Sequence, residues 1–196
     1  EGRAESVTSM VASQDGLYLA LATPTGIRLI STTISGTASL ANISTRLSVQ
    51  TGNNVLIGGF IITGTGPKNV IVRGIGPSLT AFGVPGALAD PILEVHDAAT
   101  ILATNDDWGD TQESEIEATG LAPSDDRESA IFMSLDPGSY TAILSGANLS
   151  TGVGLVEVYD LDQSAGSKLA NISTRGFVDT GDNVMIGGII IGPDNT

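Results

Sequence analysis

One segment of this chain is written twice. Leu40-Ala41-Asn42-Ile43-Ser44-Thr45-Arg46 returns unchanged as Leu169-Ala170-Asn171-Ile172-Ser173-Thr174-Arg175. The identity continues through Thr51-Gly52, Asn54-Val55, Ile57-Gly58-Gly59 and Ile61-Ile62 against Thr180-Gly181, Asn183-Val184, Ile186-Gly187-Gly188 and Ile190-Ile191. Between residues 40–62 and 169–191, 17 of 23 positions are identical at a constant offset of 129. Duplication of this quality means that one structural unit recurs along the chain, at least in part. A full unit then spans residues 39–167, and residues 168–196 are the first strands of the next. Residues 1–38 read as a partial, tail-like unit, because 15–21 echo 136–144 and 25–30 echo 151–156. The expected order is tail, whole unit, head. The chain starts at Glu1 without a methionine, which fits a processed product or a segment of something longer.

The unit is rich in strand signals. Residues 54–62 and 69–73 are dense in Val and Ile and bounded by Thr-Gly and Gly-Pro turns. Further strands are expected over 92–96, 100–103, 129–134, 139–145 and 154–160. In 139–145 the larger Tyr140 and Leu144 alternate with smaller residues, as a half-buried strand requires. Asp136-Pro137-Gly138 supplies a turn, with proline pre-setting φ. Helix is expected only over 112–119, with a single turn near 77–83. Gly58-Gly59 inside a strand predicts a bulge or a close backbone approach. Many short strands with Gly/Pro turns define an all-β chain, an antiparallel β-sandwich or jelly roll, with one full repeat unit flanked by partial ones.

Composition removes several functions. There are 22 acidic and 8 basic side chains, a formal net charge of -14, and only two lysines, Lys68 and Lys168. Nucleic-acid binding rests on phosphate neutralisation by Lys and Arg, so this charge balance argues against it. No apolar run approaches the roughly 20 residues of a transmembrane helix. With no cysteine, disulfides, zinc–thiolate sites and thiol catalysis are absent together. An acidic, lysine-poor, Gly/Ser/Thr-rich chain leans toward an extracellular or cell-surface location.

The runs Asp90-Pro91-Ile92-Leu93-Glu94-Val95-His96-Asp97, Ile101-Leu102-Ala103-Thr104-Asn105-Asp106-Asp107-Trp108 and Leu135-Asp136-Pro137-Gly138-Ser139-Tyr140 carry a family likeness. Over about residues 90–160 they resemble the bacterial pre-peptidase C-terminal domain. That resemblance implies a secreted β-sandwich appended to exported proteins, sometimes calcium-bound. The segments LANISTR, GGFIITGTGPKNVIVRGIGPSL and DDRESA are similar to tandem repeats of large secreted or surface proteins of environmental bacteria, for which no residue carries established chemistry.

Residues 90–136 hold 13 of the 22 acids and a single Lys or Arg, Arg127. Calcium takes six to eight oxygen ligands, so the loop with Asp106, Asp107 and Asp110 and the loop with Asp125 and Asp126 are its candidate ligands if they meet. A bound cation would relieve their repulsion; the alternative is a solvated acidic face with Arg127 paired to a neighbour. Catalytic residues are not expected. His96, the only histidine, falls in a strand, and a single tryptophan is too few for a sugar-lined cleft. Gly64-Thr65-Gly66-Pro67-Lys68 lacks the order of a phosphate loop and reads as a hairpin. Asn42, Asn148 and Asn171 stand in glycosylation sequons, although the repeated Asn-Ile-Ser-Thr also reads as a structural strand-edge signature.

An incomplete β-unit has an open edge, and open edges seek strands. The head segment is therefore expected to complete the sheet of a neighbouring chain through Leu169, Ile172, Val184, Ile186, Ile189, Ile190 and Ile191. Head-to-tail contacts of that kind do not close, and they build homopolymeric fibres. The leading expectation is a structural subunit of an extracellular filament or repetitive surface protein. The alternative is a calcium-stabilised module that targets a larger protein.

Overall fold

All seven strands expected between residues 54 and 160 form. The computed structural model describes residues 9–12, 18–23, 26–31, 39–163 and 166–192, in two units that part between Thr37 and Ala38. The first holds an antiparallel meander of β1 (Ser9–Ala12), β2 (Tyr18–Thr23) and β3 (Gly26–Ser31).

The second unit contains β4 (Ser39–Val49), β5 (Leu56–Thr63), β6 (Lys68–Ile75), β7 (Pro91–His96) and β8 (Ile101–Asn105). After a short helix α1 (Glu113–Ala118) come β9 (Ser129–Leu135), β10 (Gly138–Gly146), β11 (Gly152–Asp160), β12 (Lys168–Arg175) and β13 (Ile186–Gly192). They build two antiparallel five-stranded sheets, in the orders β12-β5-β10-β7-β8 and β13-β4-β11-β6-β9. Within this unit the chain changes sheet at every connection between strands except the β7–β8 hairpin.

Period-two alternation sets the core. Leu56, Phe60 and Ile62 of β5 are buried, while Ile57 and Ile61 between them are only partly so. They meet Leu47, Val49, Val70, Val72, Leu93, Val95, Leu144, Val156 and Val158, and Phe60 stacks on Tyr140 at 5.6 Å. Full burial of one such side chain contributes about 1.5–3 kcal/mol.

Two expectations about organisation are corrected. Residues 168–192 do not stand apart from 39–167, because β12 and β13 are edge strands of the same two sheets. Leu169 and Ile172, expected at a polymer interface, pack instead against the chain's own core, Leu169 being 2% exposed. The reason is local: β5 and β4 of this chain present edges that these strands fit. The echo of 136–156 in residues 15–30 is not carried into pairing. β2 and β3 pair with each other, whereas β10 and β11 lie in opposite sheets.

Candidate functional site

Two regions hold the chemistry and recognition that the sequence singles out. The first is the seam where the repeated segments meet. β4 and β12 are the two copies of one sequence, and β5 and β13 are the two copies of the next. β12 pairs with β5, and β13 pairs with β4, so each copy of the first strand takes the opposite copy of the second. Apart from the residues at the bulges, the registers are equal after the offset of 129. Arg175 faces Ile57 as Arg46 faces Ile186, and Ser173 faces Gly59 as Ser44 faces Gly188. Leu169 faces Ile62 as Leu40 faces Ile191. Each ladder carries one bulge, at Asn171 in one and at Ala41 in the other.

The repeated Gly-Gly is explained here. A Cβ on Gly59 would stand 2.3 Å from Ser173 Oγ, and one on Gly188 would stand 2.6 Å from Ser44 Oγ. The expected close approach is therefore present, and the bulge lies on neither glycine. Between the ladders, Thr45 Oγ1 and Thr174 Oγ1 share a hydrogen bond of 2.7 Å. These are equivalent residues, so the contact marks a local two-fold axis. The relation between the two copies within the chain is reciprocal.

β13 is covered on one edge only. Phe60 and Ile62 are 2% and 1% exposed, yet their counterparts Ile189 and Ile191 are 59% and 62% exposed, and Val184, Ile186 and Ile190 are also bare. Sheet order accounts for this: β5 lies between β12 and β10, whereas β13 ends its sheet.

The second region is acidic. Asn105 at the end of β8 donates through Nδ2 to the Asp107 carbonyl (2.9 Å) and accepts at Oδ1 from Ala130 N–H (2.9 Å). The single Ser129 hydroxyl proton is shared between the carbonyls of Pro91 (2.6 Å) and Asp106 (2.8 Å), and Trp108 N–H donates to the Glu128 carbonyl (2.9 Å). These ties pin the loop after β8 against the starts of β7 and β9. They bring Asp90, Asp106 and Asp107 together, with one carboxylate oxygen from each within 4.8 Å of the others.

Asp106 and Asp107 are thus part of a cluster, and Asp90 was not anticipated by the sequence reading. Asp110, Asp125 and Asp126 stand outside it. Asp125 is corrected as a ligand, because Arg127 occupies it: Oδ1 accepts from Nε and Oδ2 from Nη2, both at 2.9 Å. Burial first, then the charges of Asp90, Asp107 and Asp110, push the Asp106 carboxyl above its ordinary 3.8. Burial, then Asp110 and Asp90, raise Asp107 in the same way. Raised carboxyl values give a definite sign. Below 3.8 both folded and unfolded chains hold these protons, and stability is lost as pH climbs from there through the raised folded values. At neutral pH the ionised Asp106 and Asp107 carboxylates therefore oppose folding.

The sequon asparagines separate. Asn42 is buried and its Nδ2 donates to the Val158 carbonyl (3.2 Å), so it is corrected as a glycan acceptor in the folded unit. Asn171 and Asn148 are exposed, both in left-handed backbone (φ 59° and 53°). His96 hydrogen-bonds Glu94 of its own strand (2.8 Å). A cleft of about 420 Å³ is lined by Arg73, Ser78, Phe82, Pro123, Glu128 and Glu157. Its charged groups are engaged: Arg73 pairs with Glu157, and Glu128 Oε1 accepts from Gly76 N–H, Ser78 N–H and Ser78 Oγ.

Fold and sites together define the second unit as an antiparallel β-sandwich in which two of the four edge strands, β12 and β13, are a second writing of its first two strands. Compared with family models, with curated proteins and with solved structures, the chain matches none of them.

Proposed function

We propose that this chain is a structural module of a repetitive extracellular or cell-surface protein, in which repeat units fasten to one another by completing each other's sheets. One observation carries the reading: the two copies of the repeated segment complement each other in registers that match on either side of a bulge. Backbone hydrogen bonds supply the affinity in such strand addition, and alternate side chains fix the register. The acidic, lysine-poor, Gly/Ser/Thr-rich composition suits an extracellular setting.

The test is to place a protease site between Asp162 and Gly166 and cut it in the folded protein. Residues 166–196 are expected to co-elute with the remainder in gel filtration and to separate only under denaturant. Their free departure after cutting would remove the reading.

A second reading is favoured by the carboxylates of Asp90, Asp106 and Asp107: a calcium-stabilised binding or targeting module. Carboxylate oxygens are the donors that calcium takes, and the raised values of Asp106 and Asp107 are what a cation would relieve. Added calcium is expected to raise the melting temperature, and chelator to reverse it. Asp106→Asn should abolish that response and, without calcium, should itself stabilise the protein at pH 7. An Asp106→Asn protein that is less stable at pH 7 and still answers to calcium counts against this reading.

A further inference from the structure

We infer that the β4–β5 edge of a repeat unit recognises a second copy of itself about a two-fold axis, so that units join in closed pairs rather than in open fibres. The inference rests on the strand-complementation reading above and names its partner. β12 and β13 are, in sequence, another β4 and β5, and they meet the originals with the partners exchanged. Exchanging the two copies keeps the contacts at the centre of the seam: Thr45 touches Thr174, Gly59 admits Ser173, and Gly188 admits Ser44. Away from that centre the bulges fall one position apart, at Asn171 and Ala41. A surface whose partner is its own equivalent is isologous, and an isologous contact is satisfied by two.

In such a pair the sheets run through. The order β8-β7-β10-β5 continues into a β4 strand of the second unit, which brings its own β11, β6 and β9 beyond. The places that the exposed Ile189 and Ile191 hold here are then taken by Phe60 and Ile62 of the second unit's β5, which has its own β10 beside it. In this chain β12 and β13 already fill the edge from within, and the edge is closed to other molecules.

The absence of cysteine makes the test clean. In the full chain, Thr45→Cys/Thr174→Cys is expected to oxidise to an internal disulfide in a monomer. A full-length variant whose residues 168–192 are replaced by the sequence of residues 39–63 is expected to fold with the same melting behaviour, because each edge then meets a true copy of itself. Deletion of residues 168–196 frees the edge. That protein should sediment at twice its monomer mass, and its Thr45→Cys form should be captured as a disulfide-linked dimer. Thr45→Cys in the full chain should retain a free thiol.

Free thiols in the double-cysteine chain, or an unfolded replacement variant, overturn the two-fold placement. A ladder of higher oligomers from the deletion overturns closure and leaves strand complementation standing. A folded, monomeric deletion protein as stable as the full chain removes both. If the deletion protein precipitates, the replacement variant decides the matter by folding or failing to fold.

Discussion

Lys68→Ala lowers the unfolding free energy by about 3–5 kcal/mol, which in a domain of this size moves the melting temperature by about 10 °C. Lys68 opens β6, and its ammonium lies 3.1 Å from Asp160 Oδ1 at the end of β11, with side-chain exposures of 0% and 1%. It also donates to the Asp162 carbonyl. Asp160 Oδ1 accepts a second bond from Asp162 N–H (2.9 Å), and Oδ2 has no partner among the described residues. Removing the lysine therefore strands a buried carboxylate that already lacks one bond. The loss is one of pairing and not of charge as such, so Lys68→Met combined with Asp160→Leu should recover most of it.

Chemical denaturation checks both variants. The midpoint should shift with an unchanged slope for Lys68→Ala and return toward wild type in the double variant. The position matters for the seam as well. Ser167, just before β12, donates through Oγ to the carbonyl of Pro67, the residue before Lys68 (3.0 Å). Amides of β12 should accordingly exchange faster in Lys68→Ala than those of β7, which lies farther along the same sheet. Equal acceleration of both would mean that the pair supports the sandwich without anchoring the crossing into the second copy.

The strands between 54 and 160 were legible because β-branched runs, period-two alternation and Gly-Pro punctuation all agree there. Tyr140 and Leu144 mark one face of β10, and Gly138 marks its start. The repeat was just as legible, but a repeat states that two segments are alike and is silent on what each one touches. An open edge satisfied by a neighbouring molecule and one satisfied by a later part of the same chain write the same sequence. What distinguishes them is the crossed pairing of β12 with β5 and β13 with β4, and pairing is a long-range fact.

The acidic site divides along the same line. Asp106 and Asp107 were visible as a loop pair, and Arg127 was expected to take a neighbour. Asp90 escaped because it sits well upstream, before Pro91, where it reads as the entrance to a strand. Only the ties from Ser129 to Pro91 and Asp106 bring it close. Asn42 and Asn171 show how far context outweighs local sequence. Within one heptapeptide written twice, the first asparagine is buried against β11 and the second is an exposed bulge residue.

Glu128→Ala is the second large effect, expected at about 4 kcal/mol. Glu128 is fully buried, and its Oε1 collects Gly76 N–H (3.0 Å), Ser78 N–H (2.9 Å) and Ser78 Oγ (2.6 Å), closing the N-terminal end of the 3-10 turn Pro77–Phe82. Alanine leaves two amides without an acceptor, Gly76 N–H in a buried position and Ser78 N–H at the edge of the cleft, at about 1–3 kcal/mol each, and a cavity besides. Glutamine keeps the accepting oxygen and should cost about a third as much. The same residue holds Trp108 N–H through its carbonyl, so the turn and the acidic loop share one anchor. If calcium occupies Asp90, Asp106 and Asp107, Glu128→Ala should weaken its binding severalfold in calorimetry while Glu128→Gln leaves it near wild type. Equal losses of stability from the two substitutions would mean that the charge of Glu128, and not its place as an acceptor, holds the turn.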